Sequence, residues 1–137
     1  MRRIGSLVAI AAVLLGVGVA VAAAGQSSSD PVLGPQRYPA SDQVGFGHVR
    51  PSTIFMGGDP TGLLCRIHWL TWGRRFAIGT GTSLDVTGHQ TTAEGKWAPA
   101  VVVLSHLGSW QGRRAYLRYR WSFPDGELPR ESAPCRV

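Results

Sequence analysis

The chain contains few of the residue patterns that mark catalytic or metal-binding sites. It has 2 cysteines and 4 histidines, and it contains no C-x-x-C pair, no H-E-x-x-H segment, no G-x-S-x-G segment and no G-x-x-x-x-G-K loop. The sequence therefore lacks the motifs of three protein classes: zinc peptidases, serine hydrolases with a nucleophile elbow, and P-loop nucleotide-binding proteins. We therefore predict no catalytic residue, no metal site and no cofactor.

The histidines still allow one enzymatic interpretation. His68 and His106 alternate with apolar neighbours in predicted strands, which favours half-buried positions in a sheet. His89 lies in a polar loop interrupted by glycine, where it would be an isolated acid or base. A small secreted hydrolase that uses His89 is therefore one alternative function.

Lysine is almost absent, because Lys96 is the only one and every other basic side chain is arginine. The formal net charge is +6, from 14 basic and 8 acidic residues. Arg2 and Arg3 belong to the N-terminal leader, so 12 minus 8 leaves +4 for the rest of the chain. The planar guanidinium group suits carboxylate and phosphate partners. In an exported chain we expect such a partner to be an anion other than nucleic acid.

Apolar residues at helical spacing are missing after the N-terminal segment, and the 18 glycines and 9 prolines favour many turns. Strict alternation of apolar and polar side chains predicts a hairpin of strands over 63–72 and 76–81, and a last strand over 114–123. A β-branched run at 100–104 predicts the central strand, followed by a turn at 107–112. The fold class is therefore all-β, a small antiparallel sandwich or partly open barrel of about four to six strands.

Residues 1–24 predict a signal peptide. A charged N-terminus precedes a long apolar run, which is the order of regions in an export signal. An uncleaved membrane anchor is the alternative, because about 20 apolar residues can span a bilayer. Residues 25–49 are rich in serine, proline and glycine and predict a flexible linker. Residues 50–137 then form the β domain.

The only cysteines, Cys65 and Cys135, predict one disulfide bond, because an even number of cysteines in an exported chain favours pairing. The bond closes a loop of 70 residues, the difference of the two residue numbers. On the chain-entropy model such a loop stabilises the fold by about 4 kcal/mol.

The last predicted strand has an apolar face and a basic face. The apolar face, which we predict to be part of the core, comprises Ala115, Leu117, Tyr119, Trp121 and Phe123. The opposite face, called the predicted arginine face below, comprises Arg114, Tyr116, Arg118 and Arg120. Its partner would be an anionic envelope component, such as a wall polymer or a lipid head group, or an acidic protein. The alternatives are a solvated surface and pairing with Glu127 or Glu131.

The 5 tryptophans are many for a domain of this size. Trp69 and Trp121 have apolar in-register neighbours, which predicts that they pack in the core. Trp72, Trp97 and Trp110 lie at predicted turns or loops and are candidates for exposed aromatic contacts, such as stacking on sugar rings.

Several segments resemble a group of small exported actinobacterial proteins: residues 51–54 (PSTI), 67–73 (IHWLTWG), 77–81 (AIGTG) and 101–105 (VVVLS). The resemblance covers residues 50–120, and its most recognisable part is W-x-x-W-G followed by G-x-G. Members of the group carry cysteines in the loop that spans residues 88–98 here, where this chain has none, so their disulfide pattern does not transfer. The resemblance implies export and a β fold, and it implies no substrate, cofactor or catalytic residue.

These observations predict an exported, non-catalytic β domain with a binding or structural role at the cell envelope or in the extracellular space. Membrane contact is expected only if the leader is not cleaved, in which case the protein would be a membrane-anchored structural protein of the envelope. The secreted hydrolase is the other alternative.

The leader provides the first testable prediction. Two small-x-small sites, Ala20-Val21-Ala22 and Ala22-Ala23-Ala24, suit signal peptidase, so we expect the leader to be removed near Ala22 to Gly25. Intact-mass spectrometry of the exported protein measures this. Recovery of the protein in the membrane fraction with its apolar N-terminus intact would support the anchor instead.

Overall fold

The computed structural model describes residues 29–35, 41–88, 90–124 and 132–136. In these residues the chain forms one mixed sheet of 6 strands that curves into a half-barrel. The strands are β1 Val32–Leu33, β2 Ile54–Phe55, β3 Leu63–Thr71, β4 Ala77–Asp85, β5 Lys96–Trp110 and β6 Arg113–Ser122. Their order across the sheet is β1-β6-β5-β4-β3-β2, and neighbours are antiparallel except for β1 and β6. The predicted all-β fold is confirmed in its partly open barrel form.

β5 is the central strand, as the β-branched run predicted. Its 15 residues pair with β4 along one edge and with β6 along the other. The strand continues to Trp110, so the turn predicted over 107–112 is confined to Gln111 and Gly112, whose φ angles are 50° and 71°. Two consecutive positive φ angles are typical of a two-residue hairpin turn, whose twist matches that of the flanking strands.

β3 contains two β-bulges that change which of its side chains face the core. Between Cys65 and His68 the strand advances one residue more than its partner β4, and the same happens between Trp69 and Thr71. Each extra residue reverses the alternation of the side chains that follow it. The core-facing side chains of this segment are accordingly Leu64, Ile67, Trp69 and Trp72. The strict alternation predicted over 63–72 is therefore wrong.

A second irregularity, where His106 on β5 lies opposite Leu117 on β6, changes which side chains of these two strands face the core. His106 has a φ of 57°, and no pair joins it to Leu117, although the ladder keeps its register on either side. The β6 residues that pack with the core are Trp121, Tyr119 and then Tyr116, so the spacing changes from two to three. Leu117 is 40% exposed and Tyr116 is 0% exposed. The sequence predicted the opposite, because strict alternation has no place for this change.

Residues 44–48 join the two edges of the sheet. Val44 exchanges backbone hydrogen bonds of 3.1 and 3.0 Å with Phe55 of β2. Leu33 of β1 donates its N–H to the carbonyl oxygen of His48 at 2.9 Å and accepts a bond of 2.8 Å from the N–H of Gly47. Because β1 and β2 are the edge strands, this segment bridges the gap between them and satisfies backbone groups that an open edge would expose.

The folded domain thus includes part of the predicted flexible linker. β1 lies within residues 25–49, and its two side chains, Val32 and Leu33, are both 0% exposed. The domain boundary predicted at residue 50 is therefore wrong for the described residues of this range. The physical reason is that a strand of 2 residues carries no alternating pattern that a sequence could reveal.

The predicted disulfide bond is confirmed. Cys65 of β3 and Cys135 are bonded, with their Cα atoms 5.8 Å apart, a separation usual for a disulfide. The C-terminal residues are also held by hydrogen bonds, because the Arg66 guanidinium donates to the carbonyl oxygens of Ala133 and Pro134. The C-terminal segment is therefore attached to β3 by one covalent bond and by polar contacts beside it.

No helix in the described part of the chain is long and apolar enough to cross a membrane. The predicted signal peptide, His89, Glu127 and Glu131 lie outside the described residues.

Replacing Cys65 with alanine should lower the free energy of unfolding by about 4 kcal/mol, because the unfolded chain is no longer constrained by the 70-residue loop. Denaturant unfolding followed by fluorescence measures the loss. Cys135→Ala is the matched control and should cost about the same, while the double variant should cost no more than either single one. Two titratable thiols in the unfolded, unreduced protein would contradict the disulfide.

Candidate functional site on the outer face of the sheet

The structure divides the predicted arginine face into two parts, and the first part has an internal role. Tyr116 is buried, and its hydroxyl donates a hydrogen bond of 2.7 Å to the carbonyl oxygen of Arg74. Arg114 donates to the carbonyl oxygen of Gly73 at 3.4 Å. Both residues therefore attach β6 to the turn between β3 and β4. Burial raises the pKa of Tyr116 above its ordinary value of 10.0, so this hydroxyl stays a neutral donor at physiological pH.

The second part, Arg118 and Arg120, faces solvent. Both side chains are exposed, and they pair in the ladder with Ser105 and Val103 of β5. Among the described residues, neither arginine has a carboxylate or carbonyl partner. Pairing with Glu127 or Glu131, the internal alternative, involves residues outside the described ranges.

Several other arginines do have partners within the fold. Arg50 forms a salt bridge of 2.7 Å with Asp30. The Arg113 guanidinium donates to the carbonyl oxygen of Gly47 at 3.1 Å, and Arg66 binds the C-terminal segment. These contacts hold loops and the C-terminal segment in place, so these three arginines have a structural role. Arg118 and Arg120 have no such contact in the described part of the chain.

An open groove of about 880 Å³ lies beside the two arginines. We call it the arginine groove, and it is lined by Pro35, Phe76, Val103, Ser105, Leu117, Arg118, Tyr119 and Arg120. Two apolar side chains in it are unusually exposed, Phe76 at 43% and Leu117 at 40%. The groove therefore combines guanidinium groups with apolar surface that the fold itself does not bury.

Leu117 lies in the groove because the sheet leaves room for it there. A Cβ atom built on Gly108 would stand 2.6 Å from Cδ1 of Leu117, and one on Gly34 would stand 3.3 Å from Cδ2. The leucine side chain thus covers Gly108 of β5 and Gly34, which directly follows β1. The sequence pattern predicted Leu117 in the core. It did not indicate that Phe76 and Val103 would line a groove.

The three tryptophans predicted as exposed contacts do not form a common surface. Trp72 is buried, with 9% exposure, because the second bulge of β3 turns it inward, so its prediction is wrong. Trp97 and Trp110 are half-buried and lie near opposite ends of the 15-residue strand β5. They therefore cannot act together as a stacking platform for one sugar chain.

The histidines of the described residues are also separate. His48, His68 and His106 are exposed and lie on different segments of the chain. Within the described ranges, no group of 3 or more histidine, cysteine, aspartate or glutamate side chains is arranged to hold a metal ion. The arginine groove is therefore the candidate site that we consider further.

Tyr116→Phe should lower the free energy of unfolding by about 1 kcal/mol, because it leaves the carbonyl group of Arg74 without its donor. Tyr119→Phe is the matched control, since no hydrogen bond of the Tyr119 hydroxyl is found among the described residues, and it should cost much less. Chemical denaturation of both variants measures the difference. Equal losses would show that the Tyr116 hydrogen bond does not stabilise the fold.

The chain matches no protein-family model, no curated protein and no solved structure.

Proposed function

We propose that the protein is an exported, non-catalytic β domain that binds an anionic partner at the cell envelope through the arginine groove. The observation that carries this proposal is the pair Arg118 and Arg120, exposed beside an apolar surface and without a partner among the described residues.

The spacing of the pair suits an anion. Alternate residues of a strand project to the same side about 6–7 Å apart, so Arg118 and Arg120 bring two positive charges to one edge of the groove. Their mutual repulsion is relieved by solvent or by a bound anion. Each guanidinium group offers a planar set of donors that matches a phosphate or a carboxylate. A partner with repeated negative groups would engage both at once.

The sequence and the disulfide support an extracytoplasmic location. The disulfide Cys65–Cys135 is compatible with an oxidising compartment, and the charged and apolar N-terminus has the composition of an export signal. An exported basic surface meets the anionic polymers, lipids and proteins of the envelope.

The proposal predicts that Arg118→Ala combined with Arg120→Ala abolishes salt-sensitive retention of the protein on purified envelope material. Folding should be nearly unaffected, within about 0.5 kcal/mol, because both side chains are exposed. Retention measured over a salt series tests this, since added salt screens exposed charges.

The matched control is Lys96→Ala combined with Arg136→Ala, which removes the same charge from two exposed residues outside the groove. The control should be retained like the wild type. Equal retention of the wild type and the Arg118/Arg120 variant at every salt concentration would mean that this face is only a solvated surface.

A further inference from the structure

We infer that the partner of the arginine groove is an anionic lipid surface. This inference rests on the proposed function and names the chemistry of its partner. The groove places the exposed apolar side chains of Phe76 and Leu117 beside the guanidinium groups of Arg118 and Arg120, and a surface of anionic lipid offers partners to both kinds of side chain.

The apolar side chains are the first part of the case. Phe76 precedes β4 and Leu117 lies on β6, and both side chains remain about two-fifths exposed. Contiguous exposed apolar surface rimmed by polar groups commonly marks an interaction site. A purely polar polymer, such as a wall phosphodiester, would bind the arginines and leave Phe76 without a partner.

The charges around Phe76 are the second part. The Arg75 guanidinium carbon lies 5.4 Å from the centroid of the Phe76 ring, and Arg118 and Arg120 line the same groove as that ring. Cationic groups therefore surround an apolar centre. At a membrane, arginines bind the phosphates of lipid head groups while neighbouring apolar side chains enter the boundary with the acyl chains.

The charge of the surface is the third part. Among the described residues, no carboxylate lines the groove, so nothing there repels an anionic head group. Two arginines near an anionic bilayer together strengthen binding by roughly 30-fold. The partial burial of one phenylalanine ring strengthens it by about tenfold. An electrostatic and an apolar contribution of this size would together produce reversible association with a membrane surface.

The experiment measures sedimentation of the exported protein with vesicles of phosphatidylcholine alone and with vesicles that also contain phosphatidylglycerol. All variants carry the same N-terminus, verified by intact mass, and the vesicles of phosphatidylcholine alone report any binding by that N-terminus. The variants are Arg118→Gln with Arg120→Gln, Phe76→Ser, Phe76→Leu, and the control Lys96→Gln with Arg136→Gln.

We expect the wild type to bind the anionic vesicles and to be released by salt. The Arg118/Arg120 variant should bind them roughly 30-fold more weakly and Phe76→Ser about tenfold more weakly. Phe76→Leu keeps an apolar side chain and should bind like the wild type, as should the control. The leucine variant also separates a loss of apolar contact from a loss of folding, which circular dichroism of each variant checks directly.

Binding to anionic vesicles that survives the Arg118/Arg120 change, or that ignores Phe76→Ser, would overturn the lipid inference. So would arginine-dependent retention on envelope material from which the lipid has been extracted, and in that case the proposed function would stand with a wall polymer or an acidic protein as the partner. Absence of binding to vesicles and to envelope material alike would overturn both.

Discussion

The packing of Trp72 is the interaction on which the rest of the domain depends. Its ring meets the rings of Trp69 and Tyr116 edge to face, with centroids 4.6 and 5.4 Å away, a geometry favoured by aromatic quadrupoles. Its indole N–H donates to the carbonyl oxygen of Pro31 at 3.0 Å, directly before β1. One side chain thus joins β3, β6 and the N-terminal edge, and it holds β1 where β1 can pair with β6.

The inner and outer faces of the sheet follow from the same arrangement. The bulges of β3 bring Trp69 and Trp72 to one side, and the change of face beside His106 brings Tyr116 to meet them. Leu117 is then forced outward, next to Arg118. The apolar and cationic character of the arginine groove is therefore a consequence of how the aromatic core is completed. The candidate site and the aromatic core therefore depend on the same backbone irregularities.

Alternation and β-branching within short segments were enough to predict the strands β3 to β6 and the central position of β5. The even number of cysteines was enough to predict the disulfide. These local patterns were insufficient for β1, which has 2 residues, and for the faces of β3 and β6, because a bulge depends on pairing between strands. Arg118 and Arg120 lie beyond the change of face and remain exposed, whereas Tyr116 and Trp72, at the irregularities, are buried. The candidate site was thus predictable in its charges and unpredictable in its apolar half.

The pairing of β1 with β6 has a consequence for the order of assembly. Val32 pairs with Ala115, 83 positions later by the difference of their numbers, and contacts so distant in sequence form late, since the intervening chain must first be ordered. Because synthesis begins at the N-terminus, β1 has no strand to join until β6 has been made. Until then the backbone groups of Val32 and Leu33 lack the hydrogen-bond partners that β6 supplies.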